Sequence, residues 1–255
     1  MHDYTNLQWP EAPFGAEQRP FGRHWDMLAA FAVDWAPSPD ADDLAPVAGA
    51  AVYLRVRRHG TAYDISGDTL SIGFRATVLD DPAEVPPLLA VLDRALIRAR
   101  RHAAILAGHD FGRDLARMQD LSPTPLRGAA GVAEAWADRS TKGRGLAVMI
   151  DTADEAAGTG AALDIATAGA PVPMVDGPTG AATAARAVLA RALAIGLTAA
   201  VHAGRYRWEG TFPVAEAIDR AAWDVLSTDP TPAATADPVT VPDDMTGRPA
   251  APAGA

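Results

Sequence analysis

Apolar residues fall along this chain in two different rhythms. "MLAAFAVDWA" (27–36) is a short, nearly unbroken apolar run with a carboxylate close to its end, which predicts a buried central strand. "AAVYLRVRRHG" (50–60) and "TLSIGFRATVLD" (69–80) alternate apolar and polar residues in part, as half-buried strands do, and "GTAYDISGD" between them carries hairpin turn chemistry. "PSPDADDLAP" (37–46) reads as a loop from its Pro and Asp content. The rhythm then changes. "DDPAEVPPLLAVLDRALIRARRH" (80–102) opens on Asp and Pro and spaces Leu88, Leu89, Leu92, Leu96 and Ile97 at helical intervals.

A strand is expected over 103–107, running directly into Gly108, His109 and Asp110, with a helix from 112. Further along come a helix over 127–140, a strand within 145–155 that carries Asp151 and Thr152, and an Ala-rich helix over 179–204. A last helix over 213–227 places Ile218, Ala221, Ala222 and Val225 on one side. Residues 156–178 show no period. The Pro-, Gly- and aromatic-rich residues 1–24 read as an irregular arm, and 228–255, poor in large apolar side chains, as a disordered tail. Three strands followed by alternating helices and strands predict an α/β fold: one domain over 25–227, built on a mixed sheet covered by helices.

Composition narrows the function more than the fold. No run of about 18 uninterrupted apolar residues occurs, so no membrane span or membrane partner is expected, and the N-terminal residues lack the pattern of an export signal. The absence of cysteine excludes disulfides, thiolate metal sites and cysteine nucleophiles, and it suits a reducing cytoplasm, the expected location. A net charge of −10 speaks against a general nucleic-acid binder. It leaves room for an enzyme that engages a strand end through metal ions, because carboxylates that hold cations add to the negative count.

Asp34, Asp114 and Asp224 lie in three separate predicted elements: the first strand, a helix start after a strand, and the last helix. Carboxylates from distant segments that meet at strand ends can hold a pair of Mg²⁺ ions roughly 4 Å apart, which activate a water and steady the leaving oxygen in phosphodiester cleavage. Each also has a local reading: Asp34 as a turn or capping acid, Asp114 as an acid favoured in the first turn of a helix, Asp224 as a solvent-facing helix residue. Asp151-Thr152 reads as structural, and His109 as a hydrogen-bonded histidine. "RVRRHG" and "RARRH" read as solvated faces or as guides for a phosphate backbone. "RYRWEG" reads as core anchors or as a base-stacking platform.

"DWAPS" (34–38), "GHDFGRD" (108–114), "IDT" (150–152) and "AIDRAAWD" (217–224) together resemble the motifs of the DEDD family of 3′–5′ exonucleases. In that family a first strand ends in D-x-E-x-T, a second motif G-H-N-x-x-x-D leaves a strand for a helix, and a late helix carries His or Tyr shortly before a third Asp. The resemblance covers residues 27–227. It implies a ribonuclease-H-like mixed sheet with helices on both faces and a two-metal Mg²⁺ or Mn²⁺ centre acting on single-stranded DNA or RNA 3′ ends. It also implies Asp34, Asp114 and Asp224 as metal ligands, and His109 and Asp110 as shapers of the strand–helix turn at the substrate. Ala36 stands where the first motif has Glu, and Asp219 or Arg220 where the third has His or Tyr. A carboxylate at Asp219 would then be the base, and Asp110 or an acid of "SPDADD" would compensate for Ala36. The alternative expectation is a catalytically inactive ribonuclease-H-like module that binds nucleic acid or a protein partner; an unrelated α/β domain, with each acid serving a local cap, is the third.

Overall fold

A computed structural model describes residues 1–7, 27–37, 44–56, 61–138, 147–153, 162–165, 177–222 and 224–226. The expected tail, most of the N-terminal arm and most of the unpatterned 156–178 segment lie outside the described residues.

The long apolar run becomes β2 (Met27–Pro37), buried along most of its length, as a strand covered on both faces must be. It pairs antiparallel with β3 (Leu44–Arg55), which pairs antiparallel with β5 (Ile72–Val78). On its other side β2 pairs in parallel with β6 (Ile105–Gly108), and β6 in parallel with β7 (Val148–Asp151). β1 (His2–Thr5) joins the far edge antiparallel to β5. The result is a mixed six-stranded sheet in the order β1-β5-β3-β2-β6-β7. Two short pairings lie outside it: β4 (Tyr63–Asp64) with β9 (Tyr206–Arg207), and β8 (Ala162–Leu163) with β10 (Thr211–Phe212).

Helices cover both faces. Alternate residues of β2 divide between two cores: Met27, Ala29, Phe31, Val33 and Trp35 face α1 (Val85–His102), α2 (Phe111–Leu121) and α3 (Arg127–Ala137). Leu28, Ala30 and Ala32 face α4 (Gly177–His202), which also packs against α5 (Val214–Ala221). Because α4 is enclosed by sheet on one side and α5 on another, it is apolar nearly all round. Its segment Gly180–His202 is long and apolar enough by length and composition to cross a bilayer, yet 78% of its most apolar stretch is buried inside the protein. Small residues let it lie close to the sheet: a Cβ on Gly196 would stand 3.2 Å from the Ala30 Cβ and 3.1 Å from Leu54.

Several boundaries differ from those expected. His2–Thr5 is an edge strand instead of irregular arm, held by the Asp3 carboxylate, which accepts from Arg75 and from the Thr77 hydroxyl. β3 begins at Leu44, inside the expected loop, because its antiparallel partner β2 is long enough to template it. The last helix stops at Ala221, so Asp224 lies in a turn beyond it. The register between β2 and β3 slips between Asp34 and Trp35, where Pro46 faces Trp35 and offers no N–H to the ladder.

Candidate functional site

Three parallel strands, β2, β6 and β7, end at the same rim of the sheet, at Asp34–Pro37, Gly108 and Asp151. In an open α/β sheet, the carboxyl ends of parallel strands are where ligands bind. The sequence places its acids here.

The turn leaving β6 is built around Asp151. Asp110 has φ of 50°, the left-handed region that an Asp or Asn tolerates better than most side chains. Its backbone N–H donates to Asp151 Oδ1 at 2.9 Å, and the same oxygen accepts from Ala153 N at 3.1 Å. The indole of Trp136 on α3 donates to Asp151 Oδ2 at 3.2 Å. Thr152 completes the clamp: its hydroxyl donates to Gly108 O at 3.1 Å and lies 3.1 Å from His109 Nδ1. Gly108 is required sterically, since a Cβ there would come within 2.4 Å of Phe111. The "GHD" and "IDT" stretches therefore lock each other. Asp151 and Thr152, read from sequence as structural, hold the turn from the neighbouring strand, while Asp110 faces outward and pairs with Arg113 at 2.9 Å.

Asp34 and Asp114 do not share a site. Asp34 follows the alternation of β2 onto the α4 face, where it is fully buried and ion-paired with Arg191, itself only 12% exposed. Burial pushes the Asp34 carboxyl up to about 6, against the opposing pull of the guanidinium. Its second oxygen, Oδ2, has no hydrogen-bond partner among the described residues. Trp35 alternates to the other face, and its indole donates to Asp114 Oδ1 at 2.7 Å. Arg117, one helical turn along α2, lies over the Trp35 ring at 5.5 Å. Burial raises the Asp114 pKa to about 7; the Trp35 hydrogen bond and Arg117 pull the other way, and Asp110 adds to the rise. The carboxylate that adds to the rise at Asp114 is Asp110.

Asp219 is exposed and held by Arg186 of α4 at 3.0 Å. Asp224 is exposed in the turn beyond α5. Among the described residues, no group of three or more His, Asp and Glu side chains is placed to hold a metal ion. The two-metal centre implied by the motif order therefore does not fit this arrangement of Asp34, Asp114 and Asp224. Two residues that matter most here, Arg191 and Trp35, escape the motif reading. A signal for the first exists in the sequence: an arginine inside an otherwise apolar, Ala-rich helix demands a buried partner.

Compared with known proteins, the chain matches no family model, no curated protein and no solved structure.

Proposed function

We propose that this chain is a ribonuclease-H-like module that binds a partner without cutting it. The sheet supports the first half: an antiparallel meander β2-β3-β5, with β6 and β7 added in parallel on the other side of β2, is the arrangement expected of that fold. The motif order along the chain supports it as well.

One observation carries the second half. The carboxylate of the first motif, Asp34, is committed to the Arg191 guanidinium on the sheet face away from the Trp35–Asp114 pair. A fixed cation from α4 neutralises the acid that a divalent ion would otherwise claim. Ala36 and the Arg186–Asp219 pair agree with this, since neither leaves a free ligand or base at the first or third motif. The rim is then a scaffold: its hydrogen bonds shape the β6–α2 turn, and the buried Trp35 ring ties Asp114 and Arg117 of α2 to the end of β2.

The test is a labelled single-stranded oligonucleotide incubated with Mn²⁺ or Mg²⁺ and either the wild-type protein or Asp114→Asn. The expected result is intact substrate with both. Metal-dependent shortening from the 3′ end by the wild type, lost in Asp114→Asn, would overturn the non-catalytic reading in favour of a divergent exonuclease.

A further inference from the structure

The charge of this acidic chain is distributed along the strand axis. At the carboxyl ends of β2, β6 and β7 stand Asp34, Asp110, Asp114 and Asp151, with Asp80 and Glu84 beyond the end of β5. The opposite end is basic. Met27, which opens β2, is opposite Arg55, the last residue of β3. Ala104 N donates to Met27 O at 2.7 Å, so the final turn of α1 ends beside the same strand end. The Tyr206 hydroxyl donates to Arg55 O at 2.6 Å, which ties the turn after α4 to the end of β3.

On α1, Arg94, Arg98 and Arg101 follow one another at helical spacing, a stripe about 10 Å long at 1.5 Å per residue. Arg55, Arg94 and Arg101 are exposed, and Arg98 and Arg205 are partly so. Among the described residues, Arg55, Arg94, Arg101 and Arg205 form no ion pair; Asp64, the acid nearest Arg205 in the β4–β9 pairing, is taken by Arg207 at 2.8 Å. His102 reports the same field, because burial and the charge of Arg101 both push its pKa down.

We propose that this arginine-rich end, built from the C-termini of α1 and β3 and the Arg205 turn after α4, docks the phosphate backbone of single-stranded nucleic acid. The proposal deepens the binding-module reading and rests on it. Guanidinium groups match phosphate oxygens in a bidentate geometry, and Arg94 and Arg101, exposed and without an ion pair among the described residues, lose little on meeting a backbone that brings its own counter-charge. A protein partner would be expected to need an apolar centre in its contact. Here the exposed large apolar side chains among the described residues are Met1, Leu44, Leu121 and Val148, no two on one element. Half-buried Tyr63, edge-on to Tyr206 at 6.2 Å, adds an aromatic surface beside Arg205 on which a base can stack.

The experiment is fluorescence anisotropy with a labelled single-stranded oligonucleotide in EDTA, with cleavage scored in parallel in Mn²⁺. Binding by the wild type is expected to weaken as salt is raised, with a log–log slope of about −2 to −4 for roughly three to five phosphates. The double variant Arg55→Glu/Arg101→Glu is expected to bind at least about tenfold more weakly, and Arg94→Ala about threefold; Asp120→Asn, exposed on α2, should bind as the wild type does. Unchanged melting temperatures would confirm that the arginine variants remain folded. No binding, equal binding by wild type and the double variant, or equally effective competition by poly-glutamate would overturn the proposal, the last in favour of an acidic protein. Cleavage in Mn²⁺ with binding still dependent on Arg55 and Arg101 would overturn the non-catalytic reading and leave this surface standing.

Discussion

At the scale of single residues, two buried carboxyls set the pH behaviour. Asp114 titrates near 7 and Asp34 near 6 in the folded chain, against about 3.9 when unfolded. A raised carboxyl pKa means that the folded state holds the proton more tightly, so these groups favour unfolding as pH climbs from about 4 towards 7. Asp114→Asn keeps an oxygen for the Trp35 indole and removes the charge. It is expected to be about 1–2 kcal/mol more stable than wild type at pH 8, with the gap closing towards pH 4, as denaturant melts at the two pH values would reveal. Asp34 behaves differently because its partner is also buried. Arg191→Met strands the buried Asp34 carboxylate and should cost about 2–4 kcal/mol, while adding Asp34→Asn should recover part of that loss; no recovery in the double variant would mean that the two side chains do not depend on each other. This residue-level pairing was the least legible feature of the sequence. Motif spacing singled out Asp34, Asp114 and Asp224 by their order, but order does not reveal which face of the sheet a side chain meets. That depends on the parity of β2, where Asp34 and Trp35 are neighbours in sequence and on opposite sides in space.

At the scale of elements, the alternation and period of the apolar residues gave most of the architecture. β2, β5, α1, β6, α2 and α4 lie within a few residues of their expected bounds, because each buries a face whose spacing is visible in the chain. The failures are contacts that no local pattern encodes. β1 exists through pairing with β5, and α5 ends early because Ala222 and Leu226 turn back to cover α4, with the Leu226 carbonyl accepting from Arg186 at 2.8 Å. Element contacts also make a sharp prediction. Gly128 lets α3 touch α1, and a Cβ there would stand 2.2 Å from the Asp93 backbone oxygen. Gly128→Ala must separate the two helices and is expected to lower stability by about 1–3 kcal/mol, despite the better helix propensity of alanine. A thermal melt equal to or above the wild type would show that the α1–α3 contact is looser than described.

At the scale of the whole molecule, a charge of −10 is arranged with a basic end and an acidic end. Acidification from pH 7 relieves both the self-repulsion and the strain at Asp34 and Asp114. Below about 4 it breaks the Asp80 and Glu84 contacts, whose pKa values hydrogen bonds to the terminal ammonium hold down. Maximum stability is therefore expected on the acid side of neutrality, near about pH 5, and a melting temperature that rises steadily from pH 5 to pH 8 would contradict this. The end proposed to meet nucleic acid lies opposite the rim at Asp34, Gly108 and Asp151. What links the scales is the role of Asp34, claimed by Arg191 and so withheld from a divalent ion. The most direct measurement is the melting temperature of wild type and Asp34→Asn, each with and without millimolar Mn²⁺. The expected result is no response to Mn²⁺ in either protein. A rise of several degrees with Mn²⁺ in the wild type, abolished in Asp34→Asn, would show that Asp34 serves a metal and that the central claim is wrong.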